Sequence, residues 1–371
     1  MLAYRKSDLD ALAAITAIRT WADDGVLDAA TAESLNLSFP PPFYSPNVFI
    51  RIGLFIFGAI CALAALGLLF LMTNGWNSGN GFGTTLMVFG AGLAAGPEML
   101  ARRRKPFFRA GLEEAFTYGA LISLLCGFWI LIGFHGDLHY PLALFMGAIV
   151  SAAALRYVDG LLALAAAAFV FYAIFDLGSH GGDPARTALP FLIIALSAAV
   201  VYSAGWALSR PNLRYWHALW TVLRFATLMT GYAGGNYFVV KEARQAFLGS
   251  SFRGEEGIPM GAAFYAFTFC VPVIYIAWGL VRKDRLFLRA GLLCLALAVF
   301  TYKYYHHVMP METGLTLVGI ILITVAWFVL RIFKTVRFGI TAERQEGSGR
   351  GLLDAESLAV LQSLASKNTA S

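Results

Sequence analysis

The segment ARRRKPFFR at residues 101–109 places five cations between two long apolar runs of the chain. The cations are Arg102, Arg103, Arg104, Lys105 and Arg109. Short loops rich in lysine and arginine stay on the cytoplasmic side while the flanking helices insert into the membrane. We therefore predict a cytoplasmic loop that anchors the topology. A nucleic-acid patch is the alternative, but such patches lie on soluble surfaces, and this segment has an apolar run of spanning length on each side.

The composition is that of a membrane protein. Hydrophobic residues make up 58% of the 371 residues and charged residues only 13%, whereas soluble domains carry about 25% charged residues. The formal charge of +6 comes from cations in the predicted loops, so it implies no nucleic-acid partner. The four cysteines lie inside apolar runs without CxxC spacing and are interpreted as packing residues.

Ten apolar segments are long enough to cross the hydrocarbon core, which takes roughly 17 to 25 residues. They cover residues 49–72, 82–100, 115–134, 138–155, 157–177, 188–208, 216–240, 260–281, 286–302 and 314–333. The fourth and fifth are separated only by residues 156–160, which predicts a tight hairpin there. The predicted fold class is all-α, a polytopic membrane bundle of about ten helices.

The two ends of the chain are predicted to be short helical segments on the cytoplasmic side. The predicted domains are a helical hairpin at 1–46, the bundle at 47–337, and a linker with a short helix at 338–371. Most of the 28 lysines and arginines fall in segments assigned to the inside, which places both termini in the cytoplasm. The predicted partner is the lipid bilayer, and the basic segment 331–337 is suited to anionic headgroups. No protein partner is identified.

Three segments carry a family resemblance: the hairpin at 12–35 with Trp21, PNVFIRIGLF at 46–55, and Tyr304-Tyr305 before the last predicted span. In these segments the chain resembles the bacterial predicted membrane proteins grouped under domain of unknown function 2157. The resemblance implies a bacterial cytoplasmic (inner) membrane location. It implies no activity and no catalytic residues.

Arg224 is the cation that lies deep inside a predicted span. A charge near the centre of a span costs about 2.5 to 3.5 kcal/mol on insertion scales, so it usually faces the bundle interior or a wet cavity. On a helix, Thr221 and Thr227 share its face. Toward the outer end of the same span, the glycines before Asn236 suggest either close approach of another helix or local unwinding. Arg224, Thr221, Thr227 and Asn236 form the candidate transport site.

The alternative for Arg224 is structural. It lies about two turns from Trp216, so it is also able to snorkel toward the headgroups. It is equally able to pair with a carboxylate expected near the same face, for which Glu98, Glu113 and Glu114 are the candidates.

Five histidines fall at the predicted outer face: His135, His139, His180, His306 and His307. Imidazole suits zinc and copper and titrates near neutral pH, so a metal or proton-linked site is one hypothesis. Ordinary loop histidines are the default interpretation, because the segment HGDLH at 135–139 is not the HExxH signature.

Small residues also predict close helix contacts. Gly92 and Gly96, and again Gly231 and Gly235, have GxxxG spacing. We expect these glycines to pack helices within the chain.

Signatures of soluble enzymes are missing from the sequence: there is no Walker loop, no GxSxG elbow and no dinucleotide fingerprint. No cofactor is predicted. The first functional hypothesis is a multi-pass membrane protein whose exposed helices serve interaction or regulation. The second is a small-solute or ion transporter with its site in the seventh span, and the third is a membrane enzyme at the outer face.

Overall fold

The computed structural model describes residues 2–23, 27, 29–38, 41–73, 75, 78–103, 105–132, 139–248 and 260–306, and positions 316, 319, 320, 323, 324 and 327. In chain order the helices are α1 (Lys6–Asp23), α2 (Ala29–Ser38), α3 (Val48–Thr73), α4 (Gly79–Ala101), α5 (Leu112–Leu131), α6 (Tyr140–Tyr157), α7 (Gly160–His180), α8 (Gly182–Leu208), a 3-10 helix (Pro211–Trp216), α9 (His217–Gly235), α10 (Tyr237–Leu248), α11 (Gly261–Arg282) and α12 (Arg285–His306). No strand forms among these residues, so the predicted all-α class is confirmed.

Eight of the described helices are long and apolar enough to cross a membrane, namely α3 to α8, α11 and α12. Only 11% to 33% of the residues in their apolar windows are buried inside the structure. Large contiguous apolar surfaces are rare on soluble monomers, so this outward apolar surface fits a lipid environment. The helices therefore form a membrane bundle.

The predicted number of ten spans is not confirmed. The predicted seventh span, 216–240, is one helix only as far as Gly235, because Asn236 has extended backbone angles (φ −70°, ψ 127°) and α10 begins after it. Both alternatives for this end are confirmed, because the backbone leaves the helix at Asn236 and the glycines before it meet neighbouring helices. A Cβ atom on Gly231 would lie 2.8 Å from the Ser197 Cβ atom of α8, and one on Gly235 would meet the Phe267 ring of α11. The predicted tenth span, 314–333, lies mostly outside the described residues, as do the 338–371 segment and the basic residues 331–337.

Contacts divide the chain into two compact units. The described part of unit 1 contains α1 to α5, and unit 2 begins at His139 and contains α6 to α12. The sequence analysis did not anticipate this division.

In unit 1, glycines bring α4 and α5 into backbone contact. A Cβ atom built on Gly127 would lie 2.7 Å from the Gly83 carbonyl oxygen, and one on Gly90 would lie 2.9 Å from the Ala120 carbonyl oxygen. Only glycine permits such an approach. The predicted pair Gly92 and Gly96 does not make such backbone contacts. Gly92 has no neighbouring atom within 4 Å, and Gly96 faces the Phe116 ring of α5.

The N-terminal part of unit 1 packs its apolar side chains internally. Ile18 of α1 forms a buried cluster with Leu27 and with Leu35 of α2. Farther along, the Tyr4 ring meets the Phe108 ring edge to face at 5.1 Å, which fixes the chain start on the basic loop. The described cations of that loop, Arg102, Arg103, Lys105 and Arg109, are exposed, and Arg104 lies outside the described residues.

In unit 2, α6 and α7 form the predicted tight hairpin. Val158 ends α6 in the left-handed region (φ 56°), and the Asp159 carboxylate then accepts hydrogen bonds from the Leu161 and Leu162 amides at the start of α7. A carboxylate in this N-cap position satisfies amides that lack helical partners. The connection between α11 and α12 is built in the same way, with Lys283 left-handed and Asp284 accepting from the Leu286 amide.

Candidate functional site

Arg224 on α9 pairs with Asp284 in the connection between α11 and α12. Arg224 Nη1 lies 3.0 Å from Asp284 Oδ2, and the two side chains are 19% and 22% exposed. The guanidinium carbon also lies 5.0 Å from the centre of the Phe287 ring. Asp284 Oδ1 accepts from the Leu286 amide at 2.9 Å. One carboxylate thus holds both the arginine and the first turn of α12.

Asp284 is not among the three carboxylates predicted as partners of Arg224. Those three lie in unit 1 with other contacts: Glu98 is 3.9 Å from Arg102, and Glu114 pairs with Arg51 through both carboxylate oxygens. Glu113 Oε1 accepts from the Ala110 amide at 2.6 Å. The available signal for Asp284 was its position as the one acid among the cations Arg282, Lys283 and Arg285.

A cavity of about 790 Å³ reaches this ion pair. It lies among α8, α9, α11 and the start of α12, and we call it the Arg224 cavity. Its polar lining consists of Ser197, Arg224, Thr227, Arg282 and Asp284. Its aromatic lining consists of Tyr202, Trp206, Phe267, Tyr275, Trp278 and Phe287. A few polar groups among apolar and aromatic walls are typical of small-molecule sites, whose volumes are about 300 to 1,000 Å³.

Two polar atoms of the lining residues have no hydrogen-bond partner within the described part of the chain. They are Arg224 Nε and Ser197 Oγ, and both atoms are buried. Ser197 as a whole is only 3% exposed. A buried polar group left unpaired costs about 1 to 3 kcal/mol, and more when it is charged. Both residues line the cavity, and rotation of their side chains is what would bring these atoms to it.

The charged residues that line the cavity leave an excess of positive charge. Arg224 and Arg282 carry positive charges, and Asp284 carries a negative one. The Arg282 guanidinium carbon lies 5.3 Å from the centre of the Trp278 ring, so this exposed side chain lies along the cavity wall.

The two threonines predicted to accompany Arg224 differ in their placement. Thr227 is 1% exposed and lines the cavity with Arg224, and its hydroxyl donates to the Leu223 carbonyl at 2.6 Å. Thr221 is exposed, and its hydroxyl donates to the His217 carbonyl on its own helix. The structure therefore places Thr227, and not Thr221, at the cavity.

Asn236 lies at the helix break, about 18 Å farther along the axis from Arg224 at the usual rise per residue. It is 3% exposed. Its Nδ2 donates to the Tyr232 hydroxyl at 3.0 Å, and its Oδ1 accepts from the Phe238 amide at 2.9 Å and the Thr301 hydroxyl at 3.2 Å. The Tyr237 amide donates to the Thr268 hydroxyl at 2.9 Å. These bonds replace helical ones at the break, so Asn236 joins helices and does not line the Arg224 cavity.

The histidines are only partly brought together. His139 and His180 have ring centres 6.2 Å apart, and His180 Nδ1 lies 3.3 Å from Asp176 Oδ1. Asp176 Oδ2 accepts from the Tyr140 amide at 2.8 Å, which caps the start of α6. His306 ends α12, whereas His135 and His307 lie outside the described residues. Across the part of the chain that the structure describes, no three His, Cys, Asp or Glu residues are grouped to hold a metal ion.

Unit 1 has a groove of its own, of about 590 Å³, between α3, α4 and α5. Phe55, Leu66, Phe89 and Tyr118 are among its lining residues, and none of the described residues that line it is charged. The charged cavity is a feature of unit 2.

No family model, curated protein or solved structure matches the chain. The resemblance to the domain of unknown function 2157 stays a prediction. A functional hypothesis must therefore come from the geometry of the site itself.

Proposed function

We propose that the chain is a membrane transporter whose small-solute site is the Arg224 cavity. The observation that carries the proposal is the Arg224–Asp284 pair, which borders a cavity of about 790 Å³ and leaves Arg224 Nε without a partner among the described residues. Charged side chains within membrane bundles usually face the interior or a cavity, and they often mark a substrate path. A purely structural pair has no need of a cavity beside it.

The helix break at Asn236 gives the proposal a second support. Many transporters contain discontinuous helices near their binding sites, and interrupted backbone is tolerated in a bundle where other groups satisfy it. Here the Thr268 hydroxyl and the Asn236 Oδ1 atom accept from the Tyr237 and Phe238 amides, and the Thr301 hydroxyl holds Asn236 in place. We propose that the break is a hinge at which α10 changes its angle to α9, while the solute binds near Arg224.

The orientation of the cavity follows the predicted topology. Asp284 is flanked by Arg282, Lys283 and Arg285, and the positive-inside rule places such a connection in the cytoplasm. We therefore propose that the charged end of the cavity lies toward the cytoplasmic side of a bacterial inner membrane, with both termini on that side.

Binding is proposed to change the partners of Arg224. A solute that contacts the guanidinium shares it with Asp284 or displaces that carboxylate. Transport requires the solute to favour one conformation over another, because a ligand shifts an equilibrium only by its difference in affinity for the two states. The α11–α12 connection, which carries Asp284, is the part of the site that such a change reaches first.

The test is uptake into proteoliposomes from a panel of labelled anionic, cationic and neutral solutes. We expect at least one solute to enter faster than it enters protein-free liposomes, and we expect Arg224→Gln to lower its initial rate about tenfold or more. Arg103→Gln removes an exposed cation from the basic loop and is the matched control.

Arg224→Lys is the second variant, included in case Arg224→Gln fails to fold. It keeps the positive charge beside Asp284 and removes only the planar fork of donors. Both Arg224 variants are first checked for a wild-type size-exclusion profile. If no solute crosses, or if a folded Arg224→Gln protein transports at the full rate, the transport proposal is wrong.

The interaction or regulatory hypothesis and the membrane-enzyme hypothesis stay predictions. The N-terminal hairpin packs Ile18, Leu27 and Leu35 against one another, so these apolar side chains are already used within unit 1. Within the described residues, the geometry therefore favours the transport hypothesis.

A further inference from the structure

We infer that the ligand of the Arg224 cavity is a single-chain amphiphile with one carboxylate, which enters from the bilayer. This inference rests on the proposed function, since it names the class of solute for the same site. It is argued from the charge of the lining, the chemistry of Arg224, the exposed side of the cavity and its volume.

The charge of the lining favours a monoanion. Two arginines and one aspartate line the cavity, so one positive charge is left over. A ligand with one negative charge neutralises this excess. A cation would add to it, and a dianion would reverse it, and both changes cost energy in a site of low dielectric constant.

The chemistry of Arg224 favours a carboxylate. Guanidinium donors form a planar fork that matches carboxylate oxygens, and Asp284 already occupies Nη1 at 3.0 Å. Nε remains buried without an acceptor from the described residues. A second carboxylate in the cavity supplies that acceptor after a small rotation of the side chain. The unpaired Ser197 hydroxyl, 3% exposed, offers a further donor from the α8 wall.

The exposed side of the cavity favours entry from lipid. Tyr202 and Trp206 of α8 line the cavity and are 78% and 51% exposed, and Ile274 and Trp278 of α11 line it and are 57% and 50% exposed. Both helices are candidate membrane spans. Side chains that are exposed on spanning helices face the acyl chains, so the cavity opens toward the bilayer between these two helices. Contact between an apolar tail and these apolar walls is favourable.

The volume favours one chain over two. At about 790 Å³ the cavity falls in the range of small-molecule sites, about 300 to 1,000 Å³. Two-chain phospholipids are larger than the ligands that such sites enclose. The ligand chemistry that agrees with all four observations is a long-chain carboxylate.

The test measures quenching of tryptophan fluorescence by dibromostearate in a neutral maltoside detergent. Bromine quenches indole fluorescence only at short range, and Trp206 and Trp278 line the cavity. We expect a saturable component of quenching with dibromostearate, and with its methyl ester, which has the same tail and no charge, only the non-saturable quenching that comes from partition into the micelle. The saturable component should disappear in the Trp206→Phe/Trp278→Phe protein and persist in Trp129→Phe, which alters the unit 1 groove.

The charge is tested with a matched pair of exposed arginines, three residues apart, in the α11–α12 region. Arg282 lines the cavity, whereas Arg285 is exposed and is not part of its lining. We expect Arg282→Gln to weaken dibromostearate binding about fivefold and Arg285→Gln to leave it within about twofold, because the favourable Coulomb term falls with distance. Neither residue belongs to the Arg224–Asp284 pair, so both variants should fold.

Equal quenching by the ester, equal titrations of the two arginine variants, or saturable quenching by a brominated two-chain phosphatidylglycerol but not by dibromostearate would each overturn the inference. Its failure is distinguishable from failure of the proposed function. Saturable carboxylate binding without flux of any solute keeps the inference and removes transport. Flux of a hydrophilic solute together with unsaturable quenching keeps transport and removes the inference.

Discussion

Two arginine–carboxylate pairs, one in each unit, differ in how completely the protein satisfies them. In unit 1, Arg51 donates from Nε and Nη2 to the two oxygens of Glu114, so both partners use two atoms. In unit 2, Arg224 uses Nη1 on one Asp284 oxygen, and the other oxygen goes to the Leu286 amide. The Arg51 side chain is 41% exposed and the Arg224 side chain only 19%. The less exposed arginine is therefore the less satisfied one.

The surroundings of the two pairs also differ between the two units. Unit 1 combines its two-point pair with glycine contacts between backbones and with an uncharged groove. Unit 2 combines its one-point pair with a charged cavity and an interrupted helix. A satisfied pair holds helices together, whereas an unsatisfied pair beside a cavity is free to respond to a ligand. Unit 1 is thus interpreted as a scaffold and unit 2 as the binding unit.

The largest effect on stability is expected at the α4–α5 contact of unit 1. Gly127→Ala would place a Cβ atom 2.7 Å from the Gly83 carbonyl oxygen, and overpacking of this kind costs about 1 to 3 kcal/mol. Gly92→Ala is the matched control, because no atom lies within 4 Å of that position. Reversible unfolding in mixed micelles, followed by circular dichroism, gives both free energies. Equal stability of the two variants would mean that unit 1 is not the tightly packed one.

A smaller loss is expected at the helix break of unit 2. Asn236→Ala removes the acceptor of the Phe238 amide, and an unpaired buried group costs about 1 to 2 kcal/mol after partial relaxation. The Thr301 hydroxyl keeps the Leu297 carbonyl as its acceptor. Thr230→Ala, which removes a hydroxyl bonded to its own helix, is the control. The same unfolding assay applies. Dibromostearate affinity should stay within about twofold, since the break is about 18 Å from Arg224; a large change in affinity would place the ligand at the break instead.

The two pairs are compared directly by removing one charge from each. Glu114→Gln should cost about 0.5 to 1 kcal/mol of unfolding free energy, because Arg51 is well exposed, and should leave ligand affinity unchanged. Asp284→Asn keeps an N-cap side chain for α12 and leaves the cavity with one more net positive charge. We expect it to bind dibromostearate severalfold more tightly. Weaker binding in Asp284→Asn would show that the ligand does not compete for Arg224.

The smallest effect is expected from the two threonines of α9. Thr227→Val alters the cavity lining and should change dibromostearate affinity by about two- to threefold, because the hydroxyl is already bonded to the Leu223 carbonyl. Thr221→Val alters an exposed position and should change nothing. Fluorescence titration distinguishes the two. A larger effect of Thr221→Val would place the ligand on the exposed side of α9 and outside the Arg224 cavity.

Most of the helices were predictable from the sequence, because apolar length and local capping are both local properties. The hairpin at 156–160 shows this: the combined apolar run is too long for one crossing, and Asp159 stands where a cap is needed. The choice of contact glycines was only partly predictable, because it depends on the facing helix. Gly231 and Gly235 meet neighbouring helices as predicted. Gly83 and Gly90 meet α5, while Gly92, with better motif spacing, meets nothing within 4 Å.

Only one member of the Arg224–Asp284 pair was predictable from the sequence. Arg224 was identified because a charge inside an apolar run has few explanations. Its partner was not, because Asp284 is 60 residues away and is surrounded by cations that suggest a loop anchor. The predicted seventh span was also longer than α9, because apolar residues continue past Asn236 without a proline. Hydropathy does not record the polar groups that Thr268 and Thr301 supply at the break from other helices.

The Asp284 carboxylate makes two interactions, so a substitution at this position alters both. One oxygen balances the charge on α9, and the other secures a backbone amide in the first turn of α12. A molecule that draws Arg224 away frees the carboxylate to tighten on that amide, and one that draws Asp284 away loosens it. On the proposed function, the first turn of α12 therefore responds to an arriving molecule in two ways, through the carboxylate of Asp284 and through the Phe287 ring that borders the same cavity.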